Sequence, residues 1–263
     1  MPLIDELESH AHAYLDRIGY HGPLESTATV LRALHRAHLY SVPFENLDIA
    51  IGREIICDQA RFLHKIIKEK RGGFCYELNG AFAALLRSLG FKVILLSARV
   101  SGEGGNYGPE FDHLALRVDL EQPWLADVGF GDSFIDPLRL EPNIEQEQLG
   151  RVYRLTFDGA IIHYQMNVSG VWKNQYCFEN RPRELSEFVA MCRYNQTSPQ
   201  STFTRKRICS RATPEGRITL SNGKLIETRN GARQERALND EEWTASLREL
   251  FGVVLPRPAN ADH

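Results

Sequence analysis

The sequence lacks the features of several protein classes. It has no apolar run near the ~20 residues that a bilayer-spanning helix needs. Its N-terminus, MPLIDELESHAH, has neither the basic start nor the apolar stretch of a signal peptide. The net charge is only −3, which gives no electrostatic reason to bind nucleic acid or anionic membranes. We therefore expect a cytoplasmic protein with neither nucleic-acid nor membrane partners.

Cysteines are few, and their spacing matches no disulfide or metal-binding motif. Their number is odd, no two stand at CxxC spacing, and this indicates neither a disulfide framework nor a zinc site. In a reducing compartment they would be free thiols. Most of them are interpreted as small buried residues. The five are Cys57, Cys75, Cys177, Cys192 and Cys209.

The spacing of apolar residues changes at Gly90. Up to that residue the chain predicts helices, one capped by Ser26 or Thr27 and another by Asp58. Beyond it, short runs of strand type predict an antiparallel sheet or barrel. Turn signals such as Asp158-Gly159 separate most of these runs.

The last third of the chain combines strand and helix signals. Asn222-Gly223 and Asn230-Gly231 each predict a hairpin turn, and Asn239 can cap a final helix. Helices, then strands, then a mixed part together predict an α+β protein in three regions. The regions are helices over 1–90, strands over 91–195, and a mixed part over 196–263 that ends in a disordered tail, LPRPANADH.

One stretch, RGGFCYELNG at residues 71–80, places a cysteine at the predicted start of a helix. The N–H groups and dipole of that helix would stabilise a thiolate on Cys75 and could hold an oxyanion. Gly72 and Gly73 would let a substrate approach the sulfur. On this stretch alone, a nucleophile and a space-filling cysteine are equally good interpretations.

A nucleophilic cysteine needs a base, and the base needs an orienting group. Among nine histidines, His113 follows a Gly-rich loop and opens an alternating strand, while Asp127 stands in the apolar stretch WLADVGFG. A simple hairpin about Glu121-Gln122 would set His113 opposite residue 130, so a triad requires a bulge or a longer turn. The alternative is a buried Asp127 that accepts backbone hydrogen bonds.

Two other histidines, His35 and His38, share one helix at i, i+3 spacing. Such a pair can bind a metal, but no carboxylate or cysteine is obviously placed to complete the site. We therefore expect both to be solvated helix positions and expect no metal.

Five stretches now combine in one order: VPFENLDI at 42–49, RGGFCYELNG at 71–80, DHLAL at 112–116, LADVGFG at 125–131 and TSPQSTF at 197–203. With them the chain resembles the arylamine N-acetyltransferases. The resemblance implies a helical bundle with the nucleophile, an antiparallel β-barrel with the histidine and aspartate, and a C-terminal α/β lid. It also implies a core shared with papain-like and transglutaminase-like cysteine enzymes.

The resemblance further implies a role for each matching position. Cys75 would accept the acetyl group, His113 would be its base, and Asp127 would orient the histidine. The remaining positions are structural support at Arg71, Glu45, Gly72 and Gly73, an amine pocket at Phe130 and Val100, and coenzyme contacts at Thr197 and Ser198.

The implied reaction is a ping-pong acetyl transfer from acetyl-CoA to an arylamine, arylhydrazine or N-hydroxyarylamine. Acetyl-CoA would be a co-substrate, with no tightly bound cofactor. Three alternatives stay open: an amide synthase that closes a polyketide macrolactam, a papain-like thiol hydrolase, and a binding module with an inactive site. PFENL and TSPQSTF disfavour the hydrolase. The short end after LFGVVLPRP leaves the acceptor open.

Overall fold

The computed structural model describes residues 2–256, so residues 257–263 of the predicted tail lie outside the described residues. The N-terminal part is helical. It consists of α1 (Pro2–Ile18), α2 (Ala28–Ser41), the short strand β1 (Phe44–Glu45), α3 (Leu47–Ala50), α4 (Gln59–Ile67) and α5 (Cys75–Ser88). Across residues 2–256, none of the helices is both long and apolar enough to cross a membrane.

Short polar side chains begin two of these helices, as predicted. Thr27 Oγ1 accepts the N–H of Val30 at the start of α2, and the Asp58 carboxylate accepts the N–H of Arg61 at the start of α4. Each bond satisfies an amide that has no acceptor inside the helix. Gly90 follows α5 with a φ of +84°, a conformation that glycine adopts without strain.

The middle of the chain forms an eight-stranded antiparallel sheet. Its order in space is β5-β4-β3-β2-β9-β8-β7-β6, so two strands consecutive in the chain form the two edges. The strands are β2 (Lys92–Val100), β3 (His113–Asp119), β4 (Pro123–Ala126), β5 (Leu138–Arg139), β6 (Gln146–Gln148), β7 (Arg151–Asp158), β8 (Ile161–Val168) and β9 (Val171–Glu179).

Glutamine side chains join the two edges of this sheet. Gln146 Oε1 accepts the N–H of Arg139 at 2.8 Å, and Gln146 Nε2 donates to the Arg139 carbonyl at 3.2 Å. Gln148 accepts the N–H of Asp136 at 2.8 Å and donates to its carbonyl at 2.8 Å. Side-chain amides therefore replace strand pairing here, and the sheet becomes a nearly closed barrel. Its interior is filled by buried rings, including Phe134, Tyr153, Tyr164 and Tyr176.

The C-terminal part adds three α-helices and four strands, and these strands form a five-stranded sheet with β1. The pairs Ser221↔Lys224 and Arg229↔Ala232 flank two-residue turns, so both predicted hairpins are confirmed. The predicted cap at Asn239 is confirmed as well. The elements are α6 (Val189–Thr197), α7 (Thr202–Arg205), β10 (Ile208–Thr213), β11 (Gly216–Ser221), β12 (Lys224–Arg229), β13 (Ala232–Ala237) and α8 (Asp240–Phe251).

Strand β1 connects this C-terminal sheet to the helical part. Phe44 pairs with Ser210 of β10, and Glu45 pairs with Cys209. Helix α5 is the central element, because every residue from Cys75 to Leu86 is buried. It packs on α1 and α4 on one side and on β2 and β3 of the barrel on the other. The predicted α+β fold class is thereby confirmed.

Three carboxylates and two cations are buried together behind the start of α5. Arg71 donates through Nε to Glu45 at 2.9 Å and through Nη2 to Asp48 at 2.8 Å. Lys65 Nζ lies 2.8 Å from both Asp48 and Glu77. All five side chains are at most 5% exposed. Charges buried to this extent are tolerated only as a mutually paired set.

Glu77 links this charge cluster to the first turn of α5. Its Oε2 accepts the N–H of Phe74 at 3.1 Å, and its Oε1 accepts from Lys65. Burial, reinforced by the nearby carboxylates, raises the pKa of Glu77 to about 7, although Lys65 opposes the shift. The residue that caps the helix therefore changes protonation near neutral pH.

The atoms packed against Gly72 and Gly73 leave no room for a side chain at either position. A Cβ at Gly72 would lie 1.8 Å from the Pro43 carbonyl oxygen, and a Cβ at Gly73 would lie 2.6 Å from Glu77 Cβ. From the sequence we expected these two glycines to leave space for a substrate to approach the sulfur. In the structure, other parts of the chain fill that space at both positions.

The Gly72→Ala variant is expected to be destabilised by about 1–3 kcal/mol or more, because the added methyl group forces backbone apart. The free energy of unfolding in denaturant measures this. Gly102→Ala is the matched control: its Cβ would lie 3.4 Å from the nearest atom, and its φ of −95° suits alanine. Equal losses in both variants would contradict the packing argument.

Replacing Glu77 by Gln should change how stability depends on pH. The pKa of Glu77 rises from 4.5 to about 7 on folding, so the folded chain binds more protons than the unfolded chain between these values. The contribution of Glu77 to stability therefore falls as pH rises through this window. Measured from pH 5 to pH 8, the stability of Glu77→Gln should rise relative to wild type. A constant difference would disprove the assignment.

Candidate active site

Cys75 is the first residue of α5 and lines a cavity. Because the helix starts there, the N–H groups of its first turn have no acceptor within the helix. The side chain is 3% exposed, and the adjoining cavity has a volume of about 410 Å³. A thiolate or an oxyanion at this position would meet the positive end of the helix dipole.

His113 begins β3, and Asp127 directly follows the neighbouring strand β4, on the same face of the sheet. The pairing of β3 with β4 runs from Asp119↔Pro123 to Leu116↔Ala126, so the turn contains three residues. A two-residue turn would shift the register by one and place the two side chains on opposite faces. The extra turn residue makes them diagonal neighbours, which is the longer turn that the sequence required.

A short hydrogen bond joins the two side chains. His113 Nε2 donates to Asp127 Oδ2 at 2.7 Å, and Cys75 is the second hydrogen-bond partner of the ring. Burial lowers the pKa of His113, but the Asp127 charge and these two hydrogen bonds outweigh it and raise the pKa to about 10. Burial raises the pKa of Asp127, whereas His113 holds it below its ordinary value. At neutral pH a buried imidazolium–carboxylate pair therefore faces Cys75.

The other carboxylate oxygen of Asp127 is held by the helix that carries Cys75. Asn79 Nδ2 donates to Asp127 Oδ1 at 2.8 Å, and the N–H of Gly129 donates to the same atom at 3.0 Å. Asn79 Oδ1 accepts the N–H of Val128 at 2.9 Å. Sequence reasoning missed Asn79, although its place four residues after Cys75 puts both on one helix face.

Gly129 lets the loop after β4 pack directly on α5. A Cβ there would lie 2.8 Å from Cys75 Cα and 2.7 Å from Asn79 Nδ2. Its N–H is also one of the donors to Asp127. A glycine at this position brings the loop against the start of the helix, so the nucleophile candidate and the carboxylate share one rigid frame.

The prediction that His35 and His38 are solvated is wrong, because both are 0% exposed. His35 Nδ1 donates to the carbonyl of Ile135 at 2.6 Å, and its Nε2 accepts the N–H of Asp127 at 3.1 Å. Burial lowers the pKa of His35 to about 4, so the ring is neutral and keeps this tautomer. His38 bonds the hydroxyl of Tyr14 at 2.9 Å. His35 thus holds the backbone at Asp127, a role that spacing did not reveal.

The structure brings some of the remaining predicted residues to Cys75 and leaves others apart. Val100 and Phe130 line the same cavity as Cys75 and His113. Thr197 and Ser198 do not line it: Thr197 Oγ1 donates to the Arg193 carbonyl at 2.7 Å, and Ser198 Oγ accepts the N–H of Gln200. Arg71 and Glu45 pair behind the start of α5, away from the cavity lining.

Aromatic rings fix the orientation of the His113 imidazole. The Phe130 and Tyr176 rings each lie 5.2 Å from it, centroid to centroid. Phe130 also packs on Tyr176 at 5.0 Å. This packing restricts rotation of the imidazole, so the hydrogen bond to Asp127 and the contact with Cys75 are kept together. Over residues 2–256, no cluster of three or more His, Cys, Asp or Glu side chains is arranged to hold a metal ion.

Comparison with known proteins connects this site to one family. A family model described as N-acetyltransferase matches residues 27–260. The arylamine N-acetyltransferase / N-hydroxyarylamine O-acetyltransferase of Salmonella typhimurium is 36% identical over 219 residues, which are 82% of this chain and 78% of that protein. The Escherichia coli arylamine N-acetyltransferase is 35% identical over 91% of this chain and 87% of its own length.

Solved structures agree with these sequence relatives. The arylamine N-acetyltransferase from Salmonella typhimurium superposes with a TM-score of 0.89 at 34% identity, covering 93% of this chain and 91% of that one. The Mycobacterium marinum enzyme in complex with CoA gives a TM-score of 0.85 at 30% identity, with 92% of each chain covered. The resemblance seen in the sequence motifs is confirmed, and the chain belongs to the arylamine N-acetyltransferase family of acyltransferases.

Proposed function

We propose that this protein transfers an acetyl group from acetyl-CoA to an aromatic amine, hydrazine or N-hydroxyarylamine through a thioester on Cys75. The observation that carries the proposal is the buried His113–Asp127 pair facing a thiol at a helix N-terminus, beside a cavity of about 410 Å³. Family membership supports the donor and the acceptor class, since a relative is known in complex with CoA.

In the first half-reaction, the Cys75 thiolate attacks the thioester carbonyl of acetyl-CoA. The charge of the His113 imidazolium stabilises that thiolate, and the free N–H groups at the start of α5 stabilise the oxyanion that forms. The bond between the acetyl carbon and the CoA sulfur breaks. The imidazolium then gives its proton to the departing CoA thiolate, which leaves an acetylated Cys75 and a neutral His113.

In the second half-reaction, the amine nitrogen attacks the acetyl group on Cys75. Neutral His113 accepts the amine proton as the carbon–nitrogen bond forms and the carbon–sulfur bond breaks. The product is the acetylated amine, and the thiolate and imidazolium are restored. Because Asp127 stabilises the charged ring, the same histidine serves as acid in one half and as base in the other.

The cavity lining supports an aromatic acceptor. Phe130, Phe44 and Phe203 line it together with Val100, which offers ring faces and edges for stacking and apolar burial. We assign the acceptor contacts to Phe130 and Val100 and the structural support to Arg71, Glu45, Gly72 and Gly73. A coenzyme contact at Thr197 and Ser198 stays a prediction.

Incubation with acetyl-CoA tests the proposed intermediate. Intact-protein mass spectrometry should show one added acetyl group, which disappears when an arylamine is added and never forms on Cys75→Ala. Cys177→Ser, which removes a buried thiol outside the cavity lining, should acetylate like wild type. A thiol hydrolase would lose the adduct in buffer alone. Absence of any adduct on the wild-type protein would refute the mechanism.

The Asp127→Asn variant tests whether the Asp127 charge keeps His113 protonated in the proposed mechanism. Without the carboxylate charge, burial dominates, and the pKa of His113 should fall from about 10 to below 6.5. The ring is then neutral at pH 7.5 and no longer stabilises a thiolate, so acetylation of Cys75 should slow by at least about 100-fold. Histidine NMR and single-turnover kinetics provide the two measurements.

Asp158→Asn makes the same charge change at an exposed position and serves as the control. It should keep both the wild-type rate and the His113 titration. A wild-type acetylation rate in Asp127→Asn would contradict the assigned role of the carboxylate.

A further inference from the structure

Asp112 directly precedes β3 and lines the same cavity as Cys75, but the reaction described above gives it no role. Its partly exposed side chain lies between α6 and the loop that follows β2. Oδ1 accepts from Asn195 Nδ2 at 3.5 Å. Oδ2 lies beside Gly108, where an added Cβ would be 2.7 Å from it. Contacts on both sides therefore hold this carboxylate at the cavity wall.

Asn195, the hydrogen-bond donor to Asp112, is itself buried and held in place. Its Nδ2 also donates to the hydroxyl of Tyr76 at 3.0 Å, and its backbone carbonyl accepts from Ser201 Oγ at 2.9 Å. The Tyr76 hydroxyl donates to the carbonyl of Phe111 at 2.8 Å, next to Asp112 in the chain. These bonds join α5, α6 and the segment before β3. The position of the Asp112 carboxylate is therefore set by three parts of the fold.

The cavity offers no cation to balance an ionised Asp112. Among residues 2–256, no lysine or arginine lines it, and His113 is already paired with Asp127 at 2.7 Å. Burial raises the pKa of Asp112, while the hydrogen bond with Asn195 and the charge of His113 oppose the shift. In the acetylated intermediate proposed above, His113 is neutral when the acceptor binds. A positive group on the acceptor would then stabilise the Asp112 carboxylate in its charged form.

We propose that Asp112 makes this cavity selective for aromatic acceptors that carry a second, positively charged group. The inference rests on the proposed acetyl transfer and narrows its acceptor class. The acceptor ring packs on the aromatic side chains of Phe44, Phe130 and Phe203. Its neutral nitrogen attacks the acetyl group on Cys75, and its ammonium group pairs with the Asp112 carboxylate. Asp112 forms no covalent bond, so its role is to select and orient the acceptor.

Two acceptors of matched shape test the inference. At neutral pH para-(aminoethyl)aniline carries an ammonium group where para-propylaniline carries a methyl group. With wild type, kcat/KM for the cationic aniline should exceed that for the neutral aniline by at least about 10-fold, because the ammonium gains a charge-assisted hydrogen bond. Asp112→Asn keeps the size of the side chain and removes its charge, so it should lower this ratio to about 1 or less.

Glu110→Gln is the matched control for the change in charge. Glu110 is exposed, lies two residues before Asp112 and is outside the cavity lining. This variant should keep the wild-type ratio between the two anilines. If Cys75 is acetylated but wild type shows no preference, or if Asp112→Asn keeps the preference, the selectivity is refuted while the proposed acetyl transfer stands.

Binding measurements on Cys75→Ala distinguish this failure from failure of the proposed function. Absence of an acetyl adduct on wild type would refute the acetyl transfer itself. Calorimetry of the two anilines binding to Cys75→Ala needs no acetyl transfer and still measures the preference. The cationic aniline should bind at least about 10-fold more tightly, and adding Asp112→Asn should remove the difference. Equal affinities for Cys75→Ala would overturn the assignment of Asp112.

Discussion

The carboxylate of Asp127 is 1% exposed, and a charge buried so deeply has to be paired on every side. Its partners come from separate parts of the fold: His113 from β3, Asn79 from α5 and the N–H of Gly129 from the following loop. His35 on α2 holds the backbone of the same residue. Loss of one partner of a buried pair costs about 3–5 kcal/mol. Satisfying this one charge therefore fixes the relative positions of α2, α5 and the ends of strands β3 and β4.

The start of α5 is held from its other side by a second set of buried charges. Glu77 binds the amide of Phe74 and the ammonium of Lys65, and the network extends through Asp48 to Arg71. Cys75 lies between the two sets, at the helix start that both of them fix. In the proposed reaction, a nucleophile that is positioned by its neighbours in this way would need little reorganisation. The polar groups on both sides of Cys75 thus stabilise its position.

Local patterns predicted much of the fold because the responsible forces are local. The caps at Thr27 and Asp58 and the two hairpin turns depend on residues a few positions apart, and they formed as expected. Local patterns could not predict whether His113 and Asp127 come into contact. One residue in the turn before β4 determines whether they share a face, and the composition of the turn does not specify its length.

The burial of polar side chains is the second feature that could not be predicted from the sequence. His35, on a helix rich in polar residues, was indistinguishable from a solvated position until Ile135 and Asp127 supplied partners from far along the chain. Lys65 in the segment KIIKEK is a similar case, because its carboxylate partners come from three separate elements. Polarity predicts exposure only where no distant partner is available, and a single sequence does not show distant partners.

The cysteines show how one chain gives the same side chain different chemistry. At Cys75 the sulfur faces the His113 ring and the N-terminus of a helix, both of which would favour the proposed attack on a carbonyl carbon. Cys209 lies in the C-terminal core, and burial raises its pKa well above the ordinary value, so it stays a thiol. Reactivity follows from what faces the sulfur, and that is decided by tertiary packing.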